Sequence, residues 1–377
     1  MDPSARIQQA VKMHYEKYVY PRFPLLSSVR RCDTYALNLD SLWARFNGKK
    51  PPSGDKKILL AGSGSFSPYP TAVANKEAKI TALDLSGENL KRARLHTLIH
   101  RCFNVDFIEG DIIEAHQFLG GDRFQFIDCY GVLHHIPDAV SALNSIHAML
   151  KTGGLLRIMV YSKYARRPAQ SIRTAMKILD INEISELKKI YKKARDGSRF
   201  KEYLDSTYES KFDSGLADMF LHPYAKTYTI NELLELLNAT DFEPLLFIHH
   251  GALPEVKAEI ERVGDMENKN ELSTNFILFA GRKQDVVMRL EWETIKNHQD
   301  TVISLNPIIM NSLALLPLIP LKPESKLGFE NPPINFRGKR LLSKFKKPVK
   351  KSSIKYHDDW EWIEQYLKAM FLIETMT

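Results

Sequence analysis

Between Lys56 and Tyr161 strand-like apolar runs alternate with helix-like stretches, and a glycine turn follows the first run. The run Ile58-Leu59-Leu60-Ala61 enters Gly62-Ser63-Gly64-Ser65, and a second, Ile80-Thr81-Ala82-Leu83, ends on Asp84. A third, Val105-Asp106-Phe107-Ile108, ends at Glu109-Gly110-Asp111; a fourth, Phe124 to Asp128, leads into Tyr130-Gly131. Strands separated by helices at such intervals pair in parallel through right-handed crossovers. The expectation is a doubly wound α/β fold whose ligand crevice lies at the carboxyl ends of the strands.

Composition bounds this reading only loosely. The 377 residues exceed a typical single domain, so one large core with additions, or two domains, is expected. The net charge of +8 is local: residues 337–355 carry nine basic side chains and no acid, and without them 44 basic residues face 45 acidic. That stretch reads as a solvated, mobile linker; a phosphate-contacting arm for RNA and an anionic membrane surface are its other readings. Cys32, Cys102 and Cys129 have no metal or disulfide spacing. The amino terminus lacks a secretory pattern, and the apolar stretch 308–319 is broken by Asn311, Ser312 and Pro317. A cytoplasmic protein without a membrane span is expected.

Five segments follow from the pattern. Residues 1–50 are helical, then loop-like, with the aromatic and proline cluster Tyr15, Tyr18, Tyr20-Pro21-Arg22-Phe23-Pro24 as a lid or a packed amino-terminal segment. Pro51 to Asp55 is a linker, and 51–162 is the α/β core. Within it, Ser86 caps a helix whose apolar face is Leu95, Leu98 and Ile99, and Val140, Leu143, Ile146 and Leu150 mark another. Residues 163–224 read as a helical insertion covering the acceptor, with Ile184, Leu187, Ile190 and Tyr191 on one face. The α/β rhythm resumes over 225–283, opened by a Thr229/Glu232 capping box and followed by strands at Pro244–Ile248 and Asn275–Ala280. Residues 284–377 are an extension, ending in an amphipathic helix (Trp360, Ile363, Leu367, Met370, Phe371) expected to dock on the chain's own core.

A glycine turn between strand and helix lets backbone N–H groups approach a ligand, and an acid at the end of the next strand accepts from ribose hydroxyls. Nicotinamide dinucleotides and S-adenosylmethionine both use this arrangement. The dinucleotide fingerprint wants a third glycine where Ser67 stands, which counts against a nicotinamide cofactor. Downstream, Leu133-His134-His135-Ile136-Pro137-Asp138 follows the fourth strand, and Leu150-Lys151-Thr152-Gly153-Gly154 turns into the fifth, Leu155 to Tyr161. With these motifs the chain resembles the class I S-adenosylmethionine-dependent methyltransferases. Tyr20-Pro21-Arg22 ahead of the core also resembles a bacterial subgroup of them.

The resemblance implies a Rossmann-like, seven-stranded, mostly parallel sheet with an antiparallel last strand, and S-adenosyl-L-methionine as cofactor. It puts Gly62 and Gly64 against the methionine moiety, Asp84 at the ribose hydroxyls, Asp111 near the adenine amino group, and Asp128 to Gly131 beneath the methionine and the sulfonium, with Ala61, Ser63, Leu85 and Ile112 as further cofactor contacts. His134, His135 and Tyr130 are the candidate bases at the acceptor mouth. Two departures bear on affinity and leave a catalytically silent relative as an alternative: Leu60 where the family has an acid, and Phe66 where it has a third glycine. The acceptor reads as a small molecule or a protein, with RNA through 337–355 as the alternative. His222, His249 and His250 read as core or surface residues without metal-like spacing.

Overall fold

In the computed structural model the apolar runs become strands β1 (Lys57–Ala61), β2 (Lys79–Asp84), β3 (Val105–Glu109), β4 (Phe124–Tyr130), β5 (Leu150–Val160), β6 (Phe242–Phe247) and β7 (Phe276–Arg282). The structure describes residues 3–52, 54, 56–119, 121, 123–296, 301–315, 320–354 and 359–376. Ser53 and Asp55 of the linker, 316–319 of the apolar stretch and Lys355 of the basic one lie outside them. The strands form one sheet in the order β3-β2-β1-β4-β5-β7-β6, with β7 antiparallel to both neighbours. The chain reverses direction across the sheet between β1 and β4, which opens a crevice at their carboxyl ends.

Both faces of the sheet's central strands are covered, which is why β1 is apolar and buried from Ile58 to Ala61. Ile58 and Leu60 point into one core and Leu59 and Ala61 into the other. Helices Ala139–Met149, Ile230–Ala239 and Val256–Lys269 contribute to the second core. The Thr229/Glu232 capping box opens the middle one. The first core is shared by residues 35–43, the sheet and the carboxyl-terminal extension. That extension forms a small antiparallel sheet, β10-β8-β9, from β8 (Thr301–Leu305), β9 (Val349–Lys350) and β10 (Leu372–Met376). The terminal helix Trp360–Lys368 buries Ile363 and Tyr366, and Phe371 beyond it is fully buried against the Tyr35 ring.

Three local expectations are corrected. Leu95, Leu98 and Ile99 are exposed; helix Gly87–Ile99 packs through Leu90, Ala93, His96 and Thr97 instead. His96 earns a place on the inner face because its ring bonds the Ser27 carbonyl. Val140 is exposed, and Leu150 already belongs to β5. The described part of the basic stretch is folded, not a mobile linker. It forms helix Phe336–Ser343, buries Leu341, Leu342 and Phe345, and pairs Arg337 and Lys344 with Asp359 and Lys351 with Glu374. Among the described residues no helix is long and apolar enough to cross a membrane.

Residues 163–224 hold helices Arg167–Ile178, Ile184–Lys193, Arg199–Ser206 and Asp213–Phe220 around a core of their own, against which Tyr18 packs. Ile184 and Leu187 are buried there while Ile190 is exposed. The extension's contribution is testable. Phe371→Ala should cost about 3–5 kcal/mol of unfolding free energy in urea. Phe336→Ala, at a ring 68% exposed, should stay within about 0.5 kcal/mol. Equal effects would contradict this packing.

Candidate functional site

The turn after β1 is held by its own backbone. The Gly62 and Ser63 N–H groups both donate to the Leu83 carbonyl at 2.9 Å, which pins the turn to the end of β2. Gly62 has φ +82°, and a Cβ there would lie 2.5 Å from the Val132 side chain. Only glycine fits. Asp84 then closes the arrangement: its Oδ2 accepts from Gly64 N–H at 2.7 Å, and its Oδ1 from Ser86 N–H at 2.9 Å and Asn89 Nδ2 at 3.2 Å. Burial pushes its carboxyl above the usual range, and the hydrogen bonds pull the other way. A carboxylate has about four acceptor positions, so these bonds leave one on Oδ2.

A cavity of about 490 Å³ opens beside this turn. Gly62, Ser63, Gly64, Asp84, Leu85, Asp111 and Ile112 line one end, with Tyr130 and Gly131 in its wall. Asp111 accepts from Ile113 N–H at 2.8 Å, and burial raises its carboxyl. Gly131, at φ +79°, donates to the Met159 carbonyl. Two expected contacts are missing from the lining. Ala61 is buried in the sheet core. Asp128 is buried in a bidentate pair with Arg157, at 2.8 and 2.5 Å, and Arg157 in turn lies over the Tyr130 ring.

The candidate bases separate clearly. The buried His134 ring stacks on Tyr161 at 3.6 Å and does not line the cavity; burial drives its pKa well below the ordinary histidine value. His135 does line it. Its Nδ1 bonds the Tyr224 carbonyl at 2.9 Å, which puts the proton on Nδ1 and the lone pair on Nε2. Burial lowers its pKa as well, so the ring is neutral at pH 7. Burial raises the Tyr130 phenol, which leaves it a poor base at that pH.

The cavity is also lined by the amino-terminal segment and the helical insertion. Tyr15, Tyr20, Tyr161, Arg166, Glu209 and Asp218 meet there. The buried Asp218 accepts from the Tyr15 hydroxyl at 2.9 Å and from Tyr161 at 3.3 Å. Arg166, just ahead of helix Arg167–Ile178, lies over the Tyr161 ring at 3.6 Å. The available signal for Asp218 was one acid inside the apolar run Leu216-Ala217-Asp218-Met219-Phe220. His222 also belongs here, its ring 3.7 Å from His135. His135, Asp218 and His222 offer donor atoms within 4.8 Å of one another. His222 Nδ1 accepts from Tyr224 N–H, however, so its neutral ring carries a proton on Nε2. One imidazole lone pair and one carboxylate are too few for a zinc-type site.

Comparison with known proteins bears on the fold. Residues 54–207 match the family model of a methyltransferase domain. An uncharacterised protein of Synechococcus sp. is 26% identical over 243 residues, 60% of this chain and 57% of that protein. The ubiquinone biosynthesis O-methyltransferase of Serratia proteamaculans is 32% identical over 100 residues, 26% of this chain and 40% of that one. The chain thus spans about half the length of these two curated relatives. PKMT2 from Rickettsia typhi, solved alone and in complex with AdoHcy, superposes with a TM-score of 0.57 at 14% identity. That match covers 94% of this chain and 78% of the Rickettsia chain, and it shows a shared fold.

The buried histidines set a pH prediction. His14 is pushed down to about 4 by burial, and His134 and His222 are driven well below their ordinary value by the same cause. Each folded-state pKa is depressed, so the stabilisation is complete above about pH 6.5 and is lost as pH falls toward 4. Histidine-resolved NMR at pH 6 should find all three neutral, and unfolding there should take up protons. An imidazolium signal from any of them at that pH would contradict the buried arrangement.

Proposed function

We propose that the chain transfers a methyl group from S-adenosyl-L-methionine to a small-molecule or protein acceptor in this cavity. The observation that carries the reading is Asp84: a buried carboxylate at the end of β2, one acceptor position open, beside a positive-φ glycine turn at the sheet's switch point. Gly62, Ser63 and Gly64 would meet the methionine moiety, Asp84 and Leu85 the ribose, and Asp111 and Ile112 the adenine. Gly131 and Tyr130 would lie under the sulfonium. The AdoHcy complex of the Rickettsia protein, which shares the fold, supports this choice of cofactor.

In the transfer the acceptor's lone pair attacks the methyl carbon in line as the carbon–sulfur bond breaks, and the sulfonium charge is discharged into a neutral thioether. The protein's work is to align the two and to keep water out. An acceptor that carries a proton delivers it to Nε2 of His135, which becomes an imidazolium. The buried Asp218 on the same wall favours that charge. His134 supports the wall by packing, and Tyr130 acts as floor.

The two departures from the family pattern do not argue for a silent relative. The Phe66 ring packs on Phe23 at 4.6 Å and does not line the cavity. Leu60 fills the sheet core. In the basic stretch, the alternative arm for an RNA acceptor, Arg337, Lys344 and Lys351 pair with acids of the chain itself.

Calorimetry with S-adenosylhomocysteine tests the proposal. Saturable binding is expected, and Asp84→Ala should weaken it about 10- to 100-fold, the scale of a lost hydrogen bond to a charged group. Unchanged affinity in the variant would refute the ribose role of Asp84.

A further inference from the structure

Residues Tyr20 to Phe23 form one side of the cavity, although they lie some forty residues ahead of the glycine turn. Both peptide groups that flank the Tyr20 side chain are held by the cofactor end of the site. The Tyr20 N–H donates to Asn89 Oδ1 at 3.0 Å, and the Tyr20 carbonyl accepts from Ser65 N–H at 3.0 Å. Asn89 uses its other hand on Asp84, Nδ2 to Oδ1 at 3.2 Å. It is 2% exposed. Its orientation is also fixed. A flipped amide would set oxygen against the Asp84 carboxylate and N–H against the Tyr20 N–H.

We propose that Asn89 is a positioning residue that couples the ribose carboxylate to the Tyr20 segment, so that a seated cofactor completes the acceptor wall and binds first. This rests on the cofactor reading of the cavity given above. A hydroxyl donating to Oδ2 of Asp84 fixes the carboxylate plane, the plane fixes the Asn89 amide, and the amide holds the Tyr20 backbone. The segment beyond is laced to the same helix. Arg92, His96 and His100, spaced one turn apart on it, bond the carbonyls of Phe23, Ser27 and Leu25. Ser65 Oγ adds a bond to the Pro21 carbonyl at 2.5 Å. A side chain on Gly64 would meet the Tyr20 carbonyl at 3.0 Å, so turn and segment are in direct contact. Because such coupling is reciprocal, ordering the segment must tighten the cofactor by the factor that the cofactor orders the segment.

Hydrogen–deuterium exchange on the full chain, with and without saturating S-adenosylhomocysteine, tests this without knowledge of the acceptor. In the wild type the ligand should slow exchange over residues 18–29 at least fivefold. Asn89→Asp keeps an acceptor for the Tyr20 N–H but sets an oxygen against Asp84. It should still bind at saturating ligand, as calorimetry will report, and lose that protection. Asn89→Ala, which removes both bonds, should behave alike. A merely structural role would alter exchange equally with and without ligand. Equal ligand-dependent protection in wild type and Asn89→Asp overturns the coupling, as does a wild type that binds the ligand without protecting 18–29. A wild type that gives no binding heat rejects the cofactor reading itself, which is a different failure.

Discussion

The site depends on one buried carboxylate. Asp84 ends β2, and its oxygens accept from the glycine turn after β1, from the first turn of the following helix and from the Asn89 side chain. Burial of an acid is costly, and its pKa rises accordingly. The three donors offset that cost while leaving an acceptor position open toward the cavity. One side chain thereby sets the shape of the turn, the start of the helix and, through Asn89, the path of the Tyr20 segment. A substitution there would disturb all three.

The remaining architecture builds the walls around this point. The helical insertion delivers Arg166, Glu209 and Asp218 to the far end of the cavity. Gly215 permits that insertion to close tightly, since a Cβ there would lie 2.1 Å from the Glu209 carbonyl oxygen. Residues 31–48 are packed between the sheet and the carboxyl-terminal extension. Gly48 lies directly under the Trp292 ring, and the Trp292 indole donates to the Arg45 carbonyl at 3.0 Å. The extension thereby secures residues 31–48, which follow the Tyr20 region in the chain.

What the sequence made legible was local. Apolar runs, a glycine turn and an acid at the end of the next strand are set by neighbouring residues, so the sheet and the Asp84 end of the cavity could be read directly. The side-chain contacts around Asp218 could not, because they are long-range: Tyr15 meets Asp218 across 203 residues. His96 was missed as an inward residue because a tertiary partner, the Ser27 carbonyl, overrides its polarity. The basic stretch was misread because its charge masked Leu341, Leu342 and Phe345, which hold it in the core. Asp128 and Ala61 sit in the right strands, but Arg157 claims the first and the sheet core buries the second.

The central claim is that this cavity is the seat of S-adenosylmethionine. A crystal structure of the full chain grown with S-adenosylhomocysteine tests it most directly. The account predicts a ribose hydroxyl within hydrogen-bond distance of Asp84 Oδ2, the adenine beside Asp111 and Ile112, and the thioether sulfur directed toward His135. A ligand seated elsewhere, or a ribose that makes no contact with Asp84, would contradict it.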